Sequence, residues 1–351
     1  INNDGLLDVV TLDMLPEDHY RQKILKGPDG YDTYQRLVDS GFHHQQMRNM
    51  LQLNMGVHPD GKPRFSEIGQ MAGISRTDWS WSPLIADFDL DGHKDLFITN
   101  GYLRNFTDLD FLKYTFPEAQ AAARQNGNNL PIWEAVKNLT GTPVANYFYK
   151  NSGTLLFENA TRASGLDAPM VSTGAAWADL DGDGDVELIT NNTNAPASIW
   201  KNNSVEQGGK QYITLALQGP GANTQGIGAT ISISYETGEG LQIHQLMPNK
   251  GYQSSVEPRL HIGLGKNAAI PQLKVHWPDG TTQVVSTPLP GKLNTIAYKP
   301  DAIGSAPVKP LPQQAFLPAG LTFEHKALPY IDFKQNLLLP HQISRQGPFM
   351  A

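Results

Sequence analysis

The chain has 351 residues, 17% of them charged, with a net charge of −7 and no basic run, which argues against nucleic acid as a partner. It has no cysteine, so disulfides, zinc–thiolate sites and cysteine nucleophiles are excluded. The 33 glycines and 25 prolines point to many turns and short strands, and no apolar run approaches the ~18 residues of a membrane span.

In chain order, the first element is a loop, INNDGLLDVVTLD, which runs into a β-rich stretch. Ile1 already lies inside this motif, so the expectation is a fragment whose N-terminus, with any signal, lies upstream; none is visible here. Residues 16–48 contain two helical stretches, PEDHYRQKILK and DTYQRLVDSG. Strands follow at NMLQLNMG (49–56) and from Phe65, where FSEIGQMAGI ends in a Gly73-Ile74 turn.

The next stretch, ADFDLDGHKDLFITNG, places side-chain oxygens at loop positions 1, 3, 5 and 9: Asp87, Asp89, Asp91 and Asp95. Gly92 occupies position 6. After an insertion at 107–138 with helical character, where Asp108 and Pro131 stand near helix starts, the pattern returns. NYFYKNSG (146–153) matches 49–56, and FENATRASGL, from Phe157, ends in Gly165-Leu166. ADLDGDGDVELITNN then gives Asp179, Asp181, Asp183 and Glu187, with Gly184 at position 6. The spacing of 92 from Phe65 to Phe157 equals that from Asp87 to Asp179. The opening loop supplies Asn2, Asp4 and Asp8 at positions 3, 5 and 9, around Gly5. SIWKNN (198–203) reads as the start of one more strand.

Several carboxylates within nine residues repel one another unless a cation sits among them. Ca2+ accepts six to eight oxygens in irregular geometry, and glycine permits the turn that returns position 9 to the ion. Position 7 (Leu6, His93 or Asp185) would add its backbone carbonyl. An EF-hand would need a glutamate at position 12 and flanking helices; here position 12 is Ile98 or Thr190, and the flanks read as strands. One unit is therefore about four short strands around a calcium loop, the content of one β-propeller blade, with insertions at one rim.

These loops and the Phe…Gly-Ile/Leu turn resemble the FG-GAP/VCBS repeats, the calcium-loop blades of integrin-α-like propellers, over residues 1–203. Residues 210–298 alternate in short β segments (ATISISY, LKVHW) and resemble the ASPIC/UnbV domain. Residues 300–320 are rich in proline and alanine and read as a linker; 321–351 resemble the lead-in to a further repeat. The layout resembles large exported proteins of Bacteroidota-type bacteria. That resemblance implies an extracellular or outer-membrane location on a Gram-negative cell, often as a lipoprotein. The fold expected is mainly β: propeller blades with calcium loops and short helical insertions, plus an all-β domain.

No HExxH, GxSxG or phosphate loop is present; GLGKN (263–267) lacks the earlier glycine and the Ser/Thr of a phosphate loop, and GPGANTQGIG (219–228) has the wrong spacing for a dinucleotide site and reads as turns. His43-His44 read as packing histidines and Trp79 and Trp81 as core or rim aromatics rather than ligands. Sequons at Asn105, Asn138, Asn159, Asn191 and Asn202 matter only in a glycosylating host. The function expected is a calcium-stabilised surface or secreted binding protein that holds a protein partner or glycan, possibly within an outer-membrane complex. The alternative is a module acting on polysaccharide, for which a separated carboxylate pair would be needed.

Overall fold

The computed structural model describes residues 1–25, 30–128, 131–137, 139–234, 240–265, 272–286 and 288–300. Asn138, Lys266 and Asn267, and the linker and lead-in beyond Pro300, lie outside them. The chain divides into two compact units, 1–25 with 47–305 and 26–46 with 306–351. The repeats and the second β region thus share one unit.

The described part of the smaller unit is a single helix and its exit. This is α2 (Tyr31–Asp39), second in chain order after α1 (His19–Leu25) of the larger unit. α2 ends where Gly41 turns left-handed at φ +88°. Tyr34 Oη meets His44 Nδ1 at 2.6 Å, and the His43 ring is 6.0 Å from that of His44.

Three antiparallel sheets make up residues 9–200. The first is β1 (Val9–Thr11), β2 (Met50–Val57) and β3 (Pro63–Glu67). The second is β4 (Ser80–Ala86), β5 (Asp95–Asn100), β6 (Tyr147–Asn151) and β7 (Phe157–Asn159). The third is β8 (Ser172–Ala178), β9 (Glu187–Asn192) and β10 (Ser198–Trp200). Each is a meander in which sequence neighbours pair. Between β1 and β2 lies α1. Between β5 and β6, a π-helical turn (Phe111–Thr115) runs into α3 (Phe116–Gln125), followed by α4 (Ile132–Val136). Asp108 Oδ1 accepts the amides of Asp110 and Phe111 there, as a capping carboxylate should.

The repeat is exact in register. The hairpin β4–β5 pairs Ala86 with Asp95, and β8–β9 pairs Ala178 with Glu187. Both carry a bulge at the same place, between Ser80 and Pro83 and between Ser172 and Ala175. The Phe…Gly turns match bond for bond. Ala72 N donates to Ile68 O and Ile74 N to Gly69 O; Ser164 N donates to Ala160 O and Leu166 N to Thr161 O. Gly73 and Gly165 take φ +83° and +71°, which only glycine adopts cheaply.

Period-two alternation joins the sheets. On β5, DLFITN is buried throughout because it faces a neighbour on both sides. Leu96 and Ile98 pack with Leu51 and Leu53 of β2, while Phe97 packs with Ala175 and Trp177 of β8.

Residues 211–297 form two sheets. One orders β14 (Leu260–Gly265), β11 (Gln211–Gln218) and β17 (Leu293–Ala297). The other orders β13 (Leu241–Gln245), β12 (Thr230–Ser234), β15 (Gln272–His276) and β16 (Thr282–Val285). Alternate residues of both, among them Ile213, Leu215, Ile231, Ile233, Ile262 and Val275, meet in one core, as in a sandwich. Gly221, Gly226 and Gly228 of GPGANTQGIG have positive φ, so this segment is a turn.

Candidate metal loops

Each acidic loop joins or leads into strands, as the sequence predicts. Asp87–Lys94 closes the β4–β5 hairpin and Asp179–Val186 closes β8–β9; the Asn2–Asp8 loop leads into β1. Gly5, Gly92 and Gly184 take φ +83°, +95° and +105° at position 6, so each loop turns there with a backbone that a Cβ would strain.

Carboxylate oxygens of Asp87, Asp89 and Asp95 lie within 4.8 Å of one another, as do those of Asp179, Asp181 and Glu187. Asp183 joins a second such group with Asp181 and Glu206, and Glu206 was not anticipated. Asp91 is turned to the loop backbone, accepting His93 N at 2.9 Å. In the opening loop, Asn2 Nδ2 donates to Asp4 Oδ2 at 3.0 Å, and Asn2 Oδ1 is buried with no hydrogen-bond partner among the described residues. The position-7 carbonyls of Leu6, His93 and Asp185 accept no hydrogen bond among the described residues, whereas the position-8 carbonyls do. A free carbonyl beside grouped carboxylates is what a hard cation requires.

The electrostatics show an unmet need for positive charge. Burial, with the neighbouring aspartates, pushes Asp87 up to about 7 and Asp95 to about 8. Burial also raises Asp183 and Glu187 above the ordinary carboxylate range. Asp185, whose side chain is buried, rises to about 6; its Oδ2 accepts Val205 N at 2.8 Å while Oδ1 has no partner among the described residues. Asp89 and Asp181 are exceptions. Burial would raise Asp89, but Lys150 and Lys210 both bond its carboxylate and hold it low. In the third loop Lys201 reaches Asp181 at 2.8 Å, which holds that carboxyl low, and Glu206 at 2.9 Å.

Position 9 has a second task. Asp8, Asp95 and Glu187 each accept the position-2 nitrogen, from Ile1, Phe88 and Leu180. Each also accepts the main-chain N–H of an asparagine on a later strand segment: Asn54, Asn151 and Asn202. The same asparagines donate their side-chain amides to the position-8 carbonyls of Leu7, Lys94 and Val186. Two of them reach one loop further. Asn151 Nδ2 donates to Ile1 O at 3.0 Å and Asn202 Nδ2 to Phe88 O at 2.7 Å. The asparagine recurs in NMLQLNMG, NYFYKNSG and SIWKNN. That recurrence was the available signal; it reads as strand periodicity until the loops are seen beside it.

The sandwich sits on these loops. Gln242 Nε2 and Asn3 Nδ2 both donate to Gly92 O, at 3.0 and 2.9 Å. Gly265 N donates to Leu90 O at 3.2 Å, and Tyr212 Oη donates to Asp183 O. Glu257 Oε1 accepts Asp179 N at 2.9 Å and faces His261 Nε2 at 2.8 Å. Gly263 lies so close that a methyl group there would overlap the Asp87 carboxylate and stand 2.6 Å from Leu90 Cα.

The aromatics singled out from sequence pack outside the loops. Trp79 packs on Tyr102 with ring centres 4.1 Å apart, and Trp81 donates to Gly101 O at 2.7 Å beside Tyr252. Among the described residues, His43 and His44 join no group able to hold a metal.

The model of the ASPIC and UnbV family matches residues 219–302. Cartilage acidic protein 1 of Homo sapiens is 25% identical over 268 residues, covering 69% of this chain and 40% of that protein. The Mus musculus protein is 24% identical over 251 residues, covering 65% and 38%, and the Xenopus tropicalis protein 28% over 221 residues, covering 56% and 33%. The chain thus spans at most about two fifths of the length of these relatives. The chain carries an ASPIC and UnbV domain and, over a longer stretch, is similar to cartilage acidic protein 1.

Proposed function

We propose that the three loops are Ca2+ sites and that the three meanders are successive FG-GAP/VCBS blades of a β-propeller. The chain would then be a calcium-stabilised binding or scaffold protein. The observation that carries the metal reading is the combination, in the second and third loops, of grouped carboxylates with a position-7 carbonyl that accepts no hydrogen bond among the described residues. Asn2 Oδ1, buried and without a partner among the described residues, extends it to the opening loop. Oxygen-only ligands and a flexible nine-residue frame suit Ca2+ better than Zn2+ or other borderline metals. The blade reading draws on the four-strand meander with its loop in the first hairpin, and on β4 and β8 packing together.

With no disulfide available, a bound ion would fix each hairpin to the strand that follows. Weak sites fill at millimolar extracellular Ca2+, which fits a secreted protein or one on the outer surface of a Gram-negative cell. The partner would be a protein or glycan held by the insertion at 107–138. Leu112, Tyr114 and Trp133 are exposed there at 46%, 60% and 60%, which is apolar surface a soluble chain usually covers.

The test is Tb3+ luminescence with Ca2+ competition, alongside thermal unfolding with Ca2+ and with EDTA. The expected result is saturable, Ca2+-displaceable Tb3+ binding that weakens in Asp87→Asn and Glu187→Gln, and a lower Tm in EDTA. An unchanged Tm in EDTA with no displaceable Tb3+ would overturn the reading.

A further inference from the structure

A cavity of about 200 Å3 lies between the loops and the sandwich. The position-8 side chains of all three loops line it: Leu7, Lys94 and Val186. Two of the three are aliphatic, as suits a buried place. The third is a lysine, and Lys250, from the segment between β13 and β14, enters the same space. The Lys250 ammonium stands 5.2 Å over the Trp177 ring. Among the described residues, neither ammonium makes a hydrogen bond or an ion pair. The two repel each other.

The carboxylates that share the lining are engaged elsewhere. Asp87 accepts the amides of Asp91 and Gly92, and Asp8 the amide of Asn54 and the α-amino nitrogen of Ile1. Two like-charged groups, half-buried and without a bonded carboxylate, are costly, since desolvation and repulsion act in the same direction and the charges of Asp87 and Asp8 relieve Lys94 only in part. A cation–π contact offsets only part of that cost and supplies no acceptor. A void smaller than a drug-sized pocket, lined by apolar side chains, by Lys94, Lys250 and Arg259, and by the engaged carboxylates of Asp8 and Asp87, suits a small charged guest.

We propose that this cavity is an anion site in which Lys94 and Lys250 together hold a small oxyanion, either an inorganic dianion or the carboxylate of a small molecule. The guest would accept from both ammonium groups and lie against Trp177, whose indole reports on it.

The experiment titrates the protein, at fixed Ca2+ and constant ionic strength, with sodium sulfate in one arm and sodium acetate in the other. It follows Trp177 emission as the difference between the wild type and Trp177→Phe, together with Tm. The expected result is saturable change in at least one arm, weakened at least tenfold in Lys250→Met, whose shape is near that of lysine. A response in the sulfate arm alone assigns an inorganic dianion; one in the acetate arm assigns a carboxylate. Change that rises linearly without saturating, or is equal in wild type and Lys250→Met, is general salt action and overturns the site. If Lys250→Met does not fold, Lys250→Gln replaces it; the saturable wild-type signal is still required.

Discussion

Asn151 donates its side-chain amide to Ile1 O at 3.0 Å, joining two residues 150 positions apart in the chain. The same amide reaches Lys94 O at 3.1 Å, and Asn151 N reaches Asp95 Oδ1 at 2.9 Å. One buried side chain thus clasps its own loop and ties it to the loop before. Asn151→Ala leaves the two carbonyls unpartnered, and each orphaned acceptor costs about 1–3 kcal/mol. Asn202→Ala removes the equivalent tie to Phe88 O. Urea unfolding should show both variants destabilised with unchanged m-values. The solvent-side Asn203→Ala should change stability by less than about 0.5 kcal/mol. Equal stability of Asn151→Ala and wild type would remove the clasp.

The acidic loops and the Gly turns were legible because each is local. A nine-residue frame or a Phe-to-Gly turn carries its geometry in its own spacing, and two copies 92 residues apart check each other. The clasp was not legible, because Asn151 and Ile1 meet only when two sheets pack. Nor were Lys150 and Lys210, which reach Asp89 from positions 61 and 121 residues away. The seat of the sandwich had one cue. HIGLG places glycines at alternate places along a strand, and glycine inside a strand marks a close backbone approach. What approaches there, the Asp87–Leu90 loop, is a tertiary fact.

Lysines meet the position-3 carboxylate in both hairpin loops, one at Asp181 in the third and two at Asp89 in the second. Lys150 and Lys210 supply charge at the position-3 carboxylate, where a cation would otherwise draw on it. Lys150 also lies 3.9 Å from Asp91. In Lys150→Met the carboxylate loses a competing cation and the loop a repelling one. Ca2+ affinity of that loop should rise by about threefold to tenfold, up to about 1.4 kcal/mol. Tb3+ titration checks this in an Asp179→Asn background, which weakens the third loop. An unchanged or lower affinity would mean that Lys150 supports the loop rather than opposing its ion.

Gly263→Ala tests the seat itself. In a strand, alanine ordinarily improves on glycine by roughly 0.5–1 kcal/mol. Here its methyl would overlap Asp87 and Leu90, so the sandwich must lift or the loop must shift. Overpacking of this kind costs about 1–3 kcal/mol. Loss of protection at Gly265 N, which donates to Leu90 O, should accompany it in hydrogen exchange. A variant as stable as wild type, with Gly265 still protected, would show that the contact yields freely.

His244 gives the pH dependence its sign. Its ring is buried on β13 and faces Gln242 Oε1 at 2.9 Å. Burial first, then the charges of Lys94 and Lys250, hold its pKa well below the ordinary 6.5. The folded protein therefore keeps the ring neutral where the unfolded chain takes up a proton. Below about pH 6.5 the unfolded state binds more protons, so this group's contribution to stability falls as pH falls, with a slope approaching 1.4 kcal/mol per unit. Above about pH 7.5 it contributes no slope. Urea unfolding between pH 5.5 and 7.5 should give a shallower pH dependence in His244→Gln than in wild type, by up to one proton, whatever the variant's absolute stability. Parallel curves would mean that the folded ring takes up its proton as readily as the unfolded one, and that the two lysines do not press on it.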